Sequence, residues 1–166
     1  ERFQRVIEQA FEGGLIVDAV LPKSESERRQ LWDIRESFEM ITSREPCYLY
    51  DVSLPISDME TYADQVTHSV SQQWPDGECY IFGHMADGNL HLFVRPGIEG
   101  DFHLQSDGLV YEPLRQLNGS VSAEHGIGVE KKPWLEYSRT EVEVALMRSL
   151  KHTLDPNNLL NPGRVI

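Results

Sequence analysis

The sequence predicts an α+β fold, a largely antiparallel sheet with helices packed on one face in the manner of a ferredoxin-like unit. Two observations carry that expectation. Segments with helical periodicity alternate with strand-like runs along the chain. One strand-to-strand connection, centred on Asp87-Gly88, is too short for anything but a tight hairpin. With 166 residues, 40% of them apolar and 25% charged, the chain is long enough to bury a core of its own.

Phe3, Val6, Ile7, Ala10 and Phe11 recur at i, i+3, i+4, i+7 and i+8, the stripe of an amphipathic helix that Gly13-Gly14 ends. The chain therefore opens inside an element. Leu15 to Leu21 reads as a short strand. Ser24-Glu25-Ser26-Glu27 is a capping box opening a helix that carries Leu31, Trp32, Ile34 and Phe38, and Pro46 stops that region. Tyr48 to Leu54 reads as a strand closed by Pro55. Ser57-Asp58-Met59-Glu60 repeats the capping pattern ahead of Met59, Tyr62, Ala63, Val66 and Val70. Glu78 to Val94 is the hairpin. Pro96-Gly97 and Gly100 mark a loop, and Leu114 and Leu117 belong to a helix ending at Asn118-Gly119, its front weakened by Gly108. Ser120 to Ala123 is a short strand leading into a glycine-punctuated loop. Ser138-Arg139-Thr140-Glu141 caps a last helix through Val142, Ala145, Leu146 and Leu150, and the tail, Asp155-Pro156-Asn157-Asn158 and Asn161-Pro162-Gly163, is turn chemistry. No repeat, low-complexity tract or interior domain boundary is visible.

Composition narrows the partners. A formal net charge of -12, with Lys131-Lys132 as the only adjacent lysine pair, argues against nucleic acid. No apolar run approaches the roughly 20 residues needed to cross a bilayer. Cys47 and Cys79 have neither metal-site spacing nor the density of a secreted disulfide scaffold, which points to a reducing compartment. The opening Glu1-Arg2-Phe3-Gln4 has no initiator methionine and no signal-peptide pattern, so the chain reads as a fragment of a longer polypeptide.

The most informative stretch is Gly83-His84-Met85-Ala86-Asp87-Gly88-Asn89-Leu90-His91. If Asp87-Gly88 is a two-residue turn, residues summing to 175 face each other, and His84 and His91 do. Opposed residues have Cβ atoms roughly 5 Å apart on one face, which lets two imidazoles converge on one metal at about 2.1 Å each. The same pattern also suits a mere hydrogen-bonded histidine pair in a half-buried hairpin. Ser122-Ala123-Glu124-His125-Gly126-Ile127-Gly128 offers Glu124 as a third ligand. Two imidazoles and a carboxylate leave coordination positions open, as catalytic sites do. In extended backbone adjacent side chains diverge, so Glu124 and His125 divide the labour, one holding metal and the other facing substrate; a surface loop with a solvated acid is the plainer alternative. Arg35 sits at the edge of its helix's apolar stripe, where a guanidinium needs either an intramolecular acid or a substrate carboxylate. His68, His103, in the loop after the hairpin, and His152 receive no role, and Trp32, Trp74 and Trp134 are expected as core or boundary aromatics.

Gly83 to His91, Ser122 to Gly128 and Leu154-Asp155-Pro156-Asn157-Asn158-Leu159-Leu160-Asn161-Pro162-Gly163 resemble, in this order, the C-terminal domain of FAD-linked oxidases of the vanillyl-alcohol oxidase superfamily. Leu31-Trp32-Asp33-Ile34-Arg35-Glu36 and Asp51-Val52-Ser53-Leu54-Pro55 extend the likeness over nearly the whole chain. The members it most resembles are D-2-hydroxyacid dehydrogenases: D-2-hydroxyglutarate dehydrogenase, D-lactate dehydrogenase and the glycolate oxidase flavoprotein subunit. The resemblance implies that residues 1–166 are a substrate-binding cap whose FAD-binding domain lies elsewhere in a longer chain, in the cytoplasm, or in the mitochondrial matrix of a eukaryote. It implies that His84, His91 and Glu124 bind a divalent metal, zinc among the candidates, that His125 is the general base, and that Arg35 grips the substrate carboxylate. Asn161 is then a residue reaching the flavin. The implied reaction oxidises a D-2-hydroxyacid to the 2-oxoacid: Lewis-acid chemistry lowers the hydroxyl pKa, His125 takes the proton, and hydride leaves for the flavin, which passes electrons to an acceptor the sequence does not identify.

The chain departs from the family in three places. Ala86 stands where a glycine is usual. Leu49 and Phe93 stand where the hydroxyglutarate enzymes look to have a lysine and an asparagine, and a pocket without that second cation leaves a distal carboxylate unpaired. A 2-hydroxyacid with an apolar side chain is therefore expected. A stand-alone metal hydrolase and a non-catalytic metal-binding module remain alternatives on the residues alone. Without a flavin domain the chain is expected to be colourless and catalytically silent, and an unpaired sheet edge, one family strand being missing, to favour homo-oligomers.

Overall fold

The computed structural model describes residues 2–166, which gather into two units divided between Met40 and Ile41. In the first, α1 (Arg2–Glu12) forms on the predicted stripe and ends where Gly13 N–H donates to Gln9 O at 2.9 Å and Gly14 turns left-handed at φ +68. Ser24 caps α2 (Glu25–Glu36), its side chain accepting from Glu27 N–H at 3.2 Å, while the Glu27 carboxylate accepts from Lys23 N–H at 2.6 Å. The helix stops short of Phe38, because Ser37 leaves helical geometry at φ -82, ψ 71. The single turn α3 (Glu39–Thr42) lies across the division.

The strand expected at Leu15 to Leu21 does not form. A strand is stable only as a rung-sharing member of a ladder. The sheet among the described residues has three strands, all drawn from the second unit.

That unit runs β1 (Tyr48–Ser53), α4 (Met59–Gln73), β2 (Glu78–His84), β3 (Asn89–Arg95), α5 (His103–Tyr111) and α6 (Glu141–Leu154). The sheet order is β1-β3-β2 and both pairings are antiparallel, so the class is α+β as expected. The β-α-β-β-α succession is the ferredoxin-like order less a final strand. Alternation assigns the two faces. Tyr50, Val52, Leu90, Leu92 and Val94 point into the core with Met59, Tyr62, Val66 and Val70 of α4 and Val110 and Tyr111 of α5. Each such aliphatic side chain contributes about 1.5–3 kcal/mol by leaving water. Trp74 and Trp134 are buried as expected, while Trp32 is half exposed. The opposite face carries Asp51, Asn89, His91, Phe93, Phe82 and His84.

Several boundaries move for local reasons. Pro55 starts a 3-10 turn at Ile56–Asp58 whose own bond, Asp58 N–H to Pro55 O at 2.9 Å, replaces the Ser57 capping box ahead of α4. α5 begins at His103, within the expected loop, tolerates Gly108 in mid-helix, and tightens into 3-10 geometry at Glu112–Arg115 around Pro113, which has no N–H to continue an α-ladder. Ser138 does not cap α6, because its hydroxyl accepts from Val121 N–H at 2.8 Å; Thr140 and Glu143 form the capping box instead. The strand expected at Ser120 to Ala123 is reduced to a bridge between Ser53 and Ser120.

The hairpin also differs. Its loop is Met85–Gly88, a 3-10 turn over Met85–Asp87 closed by Gly88 at φ +67, so His84 pairs with Asn89 and Phe82 with His91. The cause lies just past the end of β1: Leu54 N–H donates to Gly88 O at 2.9 Å, and a Cβ on Gly88 would lie 2.4 Å from Leu54 O. Gly88 is thus the left-handed cap of a turn docked on the neighbouring strand.

Candidate functional site

The register differs from the expected one by two residues, and side chains alternate with period 2, so His84 and His91 still share a face. They are diagonal rather than opposed, and their ring centroids are 5.8 Å apart. The chain beyond the Ser120 bridge crosses this face and delivers Glu124. Its Oε1 lies 3.7 Å from His84 Nε2 and its Oε2 lies 3.9 Å from His91 Nε2. All three residues place a donor atom within 4.8 Å of the others. Donors bound at about 2.1 Å to one cation stand roughly 3–3.5 Å apart, so a small side-chain contraction closes the set. Two imidazole nitrogens and a carboxylate oxygen, open to water at His84 and Glu124, suit a borderline divalent cation with free coordination positions. Asn89 Nδ2 donates to Glu124 Oε1 at 2.5 Å, while Asn89 Oδ1 is buried without a hydrogen-bond partner. Two imidazoles and a carboxylate with their ligand atoms within 4.8 Å of one another are a chemically suitable donor set, and the residues present fit a cation.

Asp51 builds the loop that carries Glu124. It is fully buried in β1, opposite His91, and accepts the N–H of Glu124 at 2.9 Å and of His125 at 3.0 Å, the Ser122 hydroxyl at 3.1 Å and the Lys131 ammonium at 3.1 Å. The strand at Ser120 ends because serine hydroxyls take the next N–H groups: Ser138 Oγ accepts from Val121 at 2.8 Å and Ser120 Oγ from Ser122 at 3.4 Å. Burial pushes the Asp51 carboxyl up, but the N–H groups of His125 and Glu124 and the Lys131 charge outweigh it and hold it at about 2. Burial lowers the His91 pKa, against the pull of Glu124 and Asp51, and so favours the neutral imidazole that a metal requires.

His125 diverges from Glu124 at a bend, where both N–H groups turn to the Asp51 carboxylate. Its ring stacks on His91 at 6.1 Å, its Nδ1 lies 3.9 Å from Asp51 Oδ2, and it lines a cleft of about 700 Å3 with Leu49, His103 and Arg164. Leu49 and Phe93 are direct cross-strand partners on the site face. Phe82 stacks on Phe93 at 5.6 Å and tilts against His91 at 5.5 Å, so an apolar strip borders the histidines.

The structure thus brings His84, His91, Glu124 and His125 together. Arg35 belongs to the first unit, where it is exposed and its guanidinium lies 5.7 Å from the Trp32 ring centroid. Asn161 stands in the tail at φ +47, its carbonyl accepting from Arg164 N–H at 3.2 Å. Asp51, Asn89, Ser122 and Lys131 were not singled out from sequence. Asp51 had a signal, an acid at an inner position of an apolar strand, which must be paired to be tolerated; Asn89 had one in sitting between the two histidines.

The chain is 33% identical to a D-2-hydroxyglutarate dehydrogenase of Stutzerimonas stutzeri (strain A1501), over 99% of this chain and 37% of the relative. It is 39% identical to a D-2-hydroxyglutarate dehydrogenase of Xanthomonas citri pv. viticola, over 95% of this chain and 35% of the relative. A mitochondrial protein of Schizosaccharomyces pombe, named as a candidate D-lactate dehydrogenase, is 32% identical over 100% of this chain and 34% of its own length. The chain spans about a third of the length of the curated relatives it matches. Residues 1–165 match the family described as FAD linked oxidases, C-terminal domain, and the chain belongs to that family.

Proposed function

We propose that this chain is the substrate- and metal-binding part of an FAD-dependent oxidoreductase that converts a D-2-hydroxyacid to its 2-oxoacid. The observation that carries the reading is the convergence of His84, His91 and Glu124 beside His125, in a member of the FAD-linked oxidase family with relatives named as D-2-hydroxyglutarate dehydrogenases and a candidate D-lactate dehydrogenase. When bound, a divalent cation supplies Lewis-acid polarisation of the alcohol oxygen and FAD accepts the hydride. His84, His91 and Glu124 hold the cation and leave its outer positions to substrate. His125, half exposed at the cleft, accepts the hydroxyl proton at an imidazole nitrogen. Arg35 would grip the substrate carboxylate and so orient Cα, and Asn161 would help hold a flavin bound mainly by a domain outside residues 1–166.

Leu49 and Phe93 extend the reading to substrate choice. Paired on the site face, with Leu49 half exposed at the cleft and Phe93 buried beside it, they offer apolar surface to the 2-substituent through Leu49 and no cation to a distal carboxylate. The cytoplasm, or the mitochondrial matrix of a eukaryote, is the proposed location. The test is anaerobic bleaching of the flavin in the full-length protein by a panel of 2-hydroxyacids. D-enantiomers with aliphatic side chains are expected to bleach it faster than D-2-hydroxyglutarate, and L-enantiomers not at all. A flavin that no 2-hydroxyacid reduces contradicts the reading.

A further inference from the structure

Asp51 is the most heavily bonded side chain at the site, and the reaction proposed above assigns it no part. An ionised carboxylate offers about four acceptor positions, and here four donors reach it, one at Oδ1 and three at Oδ2. Oδ1 accepts Glu124 N–H, and Oδ2 accepts His125 N–H, Ser122 Oγ–H and the Lys131 ammonium, which also donates to Asp51 O at 3.2 Å. A buried charge with that many partners fixes the partners as firmly as they fix it. Two consecutive N–H groups aimed at one carboxylate pin the peptide between Glu124 and His125, with the two side chains leaving it in different directions: Glu124 toward the imidazoles, His125 toward the cleft. Because Asp51 is the register partner of His91, one rung of the ladder carries a strand ligand directly and the loop ligand through Asp51.

We propose that Asp51 is the positioning residue of the cation cluster, setting the backbone of Glu124 and His125 so that the carboxylate completes the site while the imidazole stays free. This rests on the metal reading above. An asparagine keeps one acceptor but turns an NH2 group toward donors already present, so Asp51→Asn breaks the arrangement at almost unchanged volume.

The experiment is titration of the whole chain with Co2+, followed by its visible d–d absorption, with hydrogen exchange at the Glu124 and His125 amides and circular dichroism for the fold. The comparison variant is Asp107→Asn, another buried acid, which accepts from Tyr50 OH and Trp134 Nε1 in the core. Asp51→Asn is expected to remain folded, to weaken Co2+ binding 10–100-fold with a changed spectrum, and to speed exchange at both amides. Asp107→Asn is expected to lower Tm and leave the spectrum unchanged. Ser122→Ala, a milder loss of one bond to the same carboxylate, is expected to weaken Co2+ by about threefold; it decides the matter if Asp51→Asn fails to fold, and an unchanged affinity there overturns the proposal. A folded Asp51→Asn with wild-type affinity and spectrum overturns this inference and leaves the metal reading standing. A wild-type chain that takes up no Co2+ overturns both.

Discussion

At the scale of single residues, the site depends on side chains whose work is divided by direction. His125 stacks on His91 but stands outside the donor set, so His125→Ala is expected to leave cation affinity within about twofold while full-length turnover falls by the 10²–10⁴-fold typical of a lost general base. Unchanged turnover removes its assigned role. Asp51 carries a pH signature of its own. Its carboxyl is held at about 2 when folded, below the roughly 3.9 of an unfolded chain, so the folded state binds fewer protons there. Its contribution is fully present above about pH 4 and is lost as the pH falls through the folded value. Asp155 and Glu143 are lowered too, by Lys151 with backbone N–H groups and by Thr140 respectively, and contribute to the wild-type acid limb. The difference between wild type and Asp51→Asn isolates Asp51. Denaturant titrations from pH 5 to 2 should show that difference shrinking toward acid, and a constant difference contradicts the assignment.

At the scale of elements, the hairpin shows how local rules and tertiary context share control. The nine residues Gly83 to His91 carried enough information to place two histidines on one face, because parity survives a two-residue change of register. They did not contain the loop length, which is set by the docking of Gly88 on Leu54, a contact with a strand nearly 35 residues away in the chain. Capping follows the same logic. Ser138 and Thr140 both have cap chemistry, and the choice falls to Thr140 because Val121 N–H claims the Ser138 hydroxyl. Two stability measurements test these statements. Gly88→Ala faces both a left-handed φ and a clash with Leu54 O, and is expected to cost at least ~1–3 kcal/mol in urea denaturation, with loss of cation affinity. Thr140→Ala is expected to cost about 1 kcal/mol and leave the cation site intact. A neutral Gly88→Ala contradicts the assignment of Gly88 as the left-handed cap docked on Leu54.

At the scale of the molecule, one sheet separates two tasks. The face toward α4 and α5 is a buried apolar core; the other gathers Asp51, Asn89, His84 and His91 under the loop that brings Glu124. The α+β class and most helices were legible from periodicity, because burial of one stripe is a local pattern. The division at Met40 was not, since no glycine- or proline-rich linker lies at it. Nor was the role of Asp51, whose partners lie more than 70 residues ahead. The central claim, that strand and loop assemble one cation site, is tested most directly by anomalous diffraction from crystals of the chain grown with Zn2+. The account predicts one dominant peak about 2.0–2.2 Å from His84 Nε2, His91 Nε2 and a Glu124 carboxylate oxygen. Histidines splayed apart with no peak between them, or a dominant peak elsewhere, contradict it.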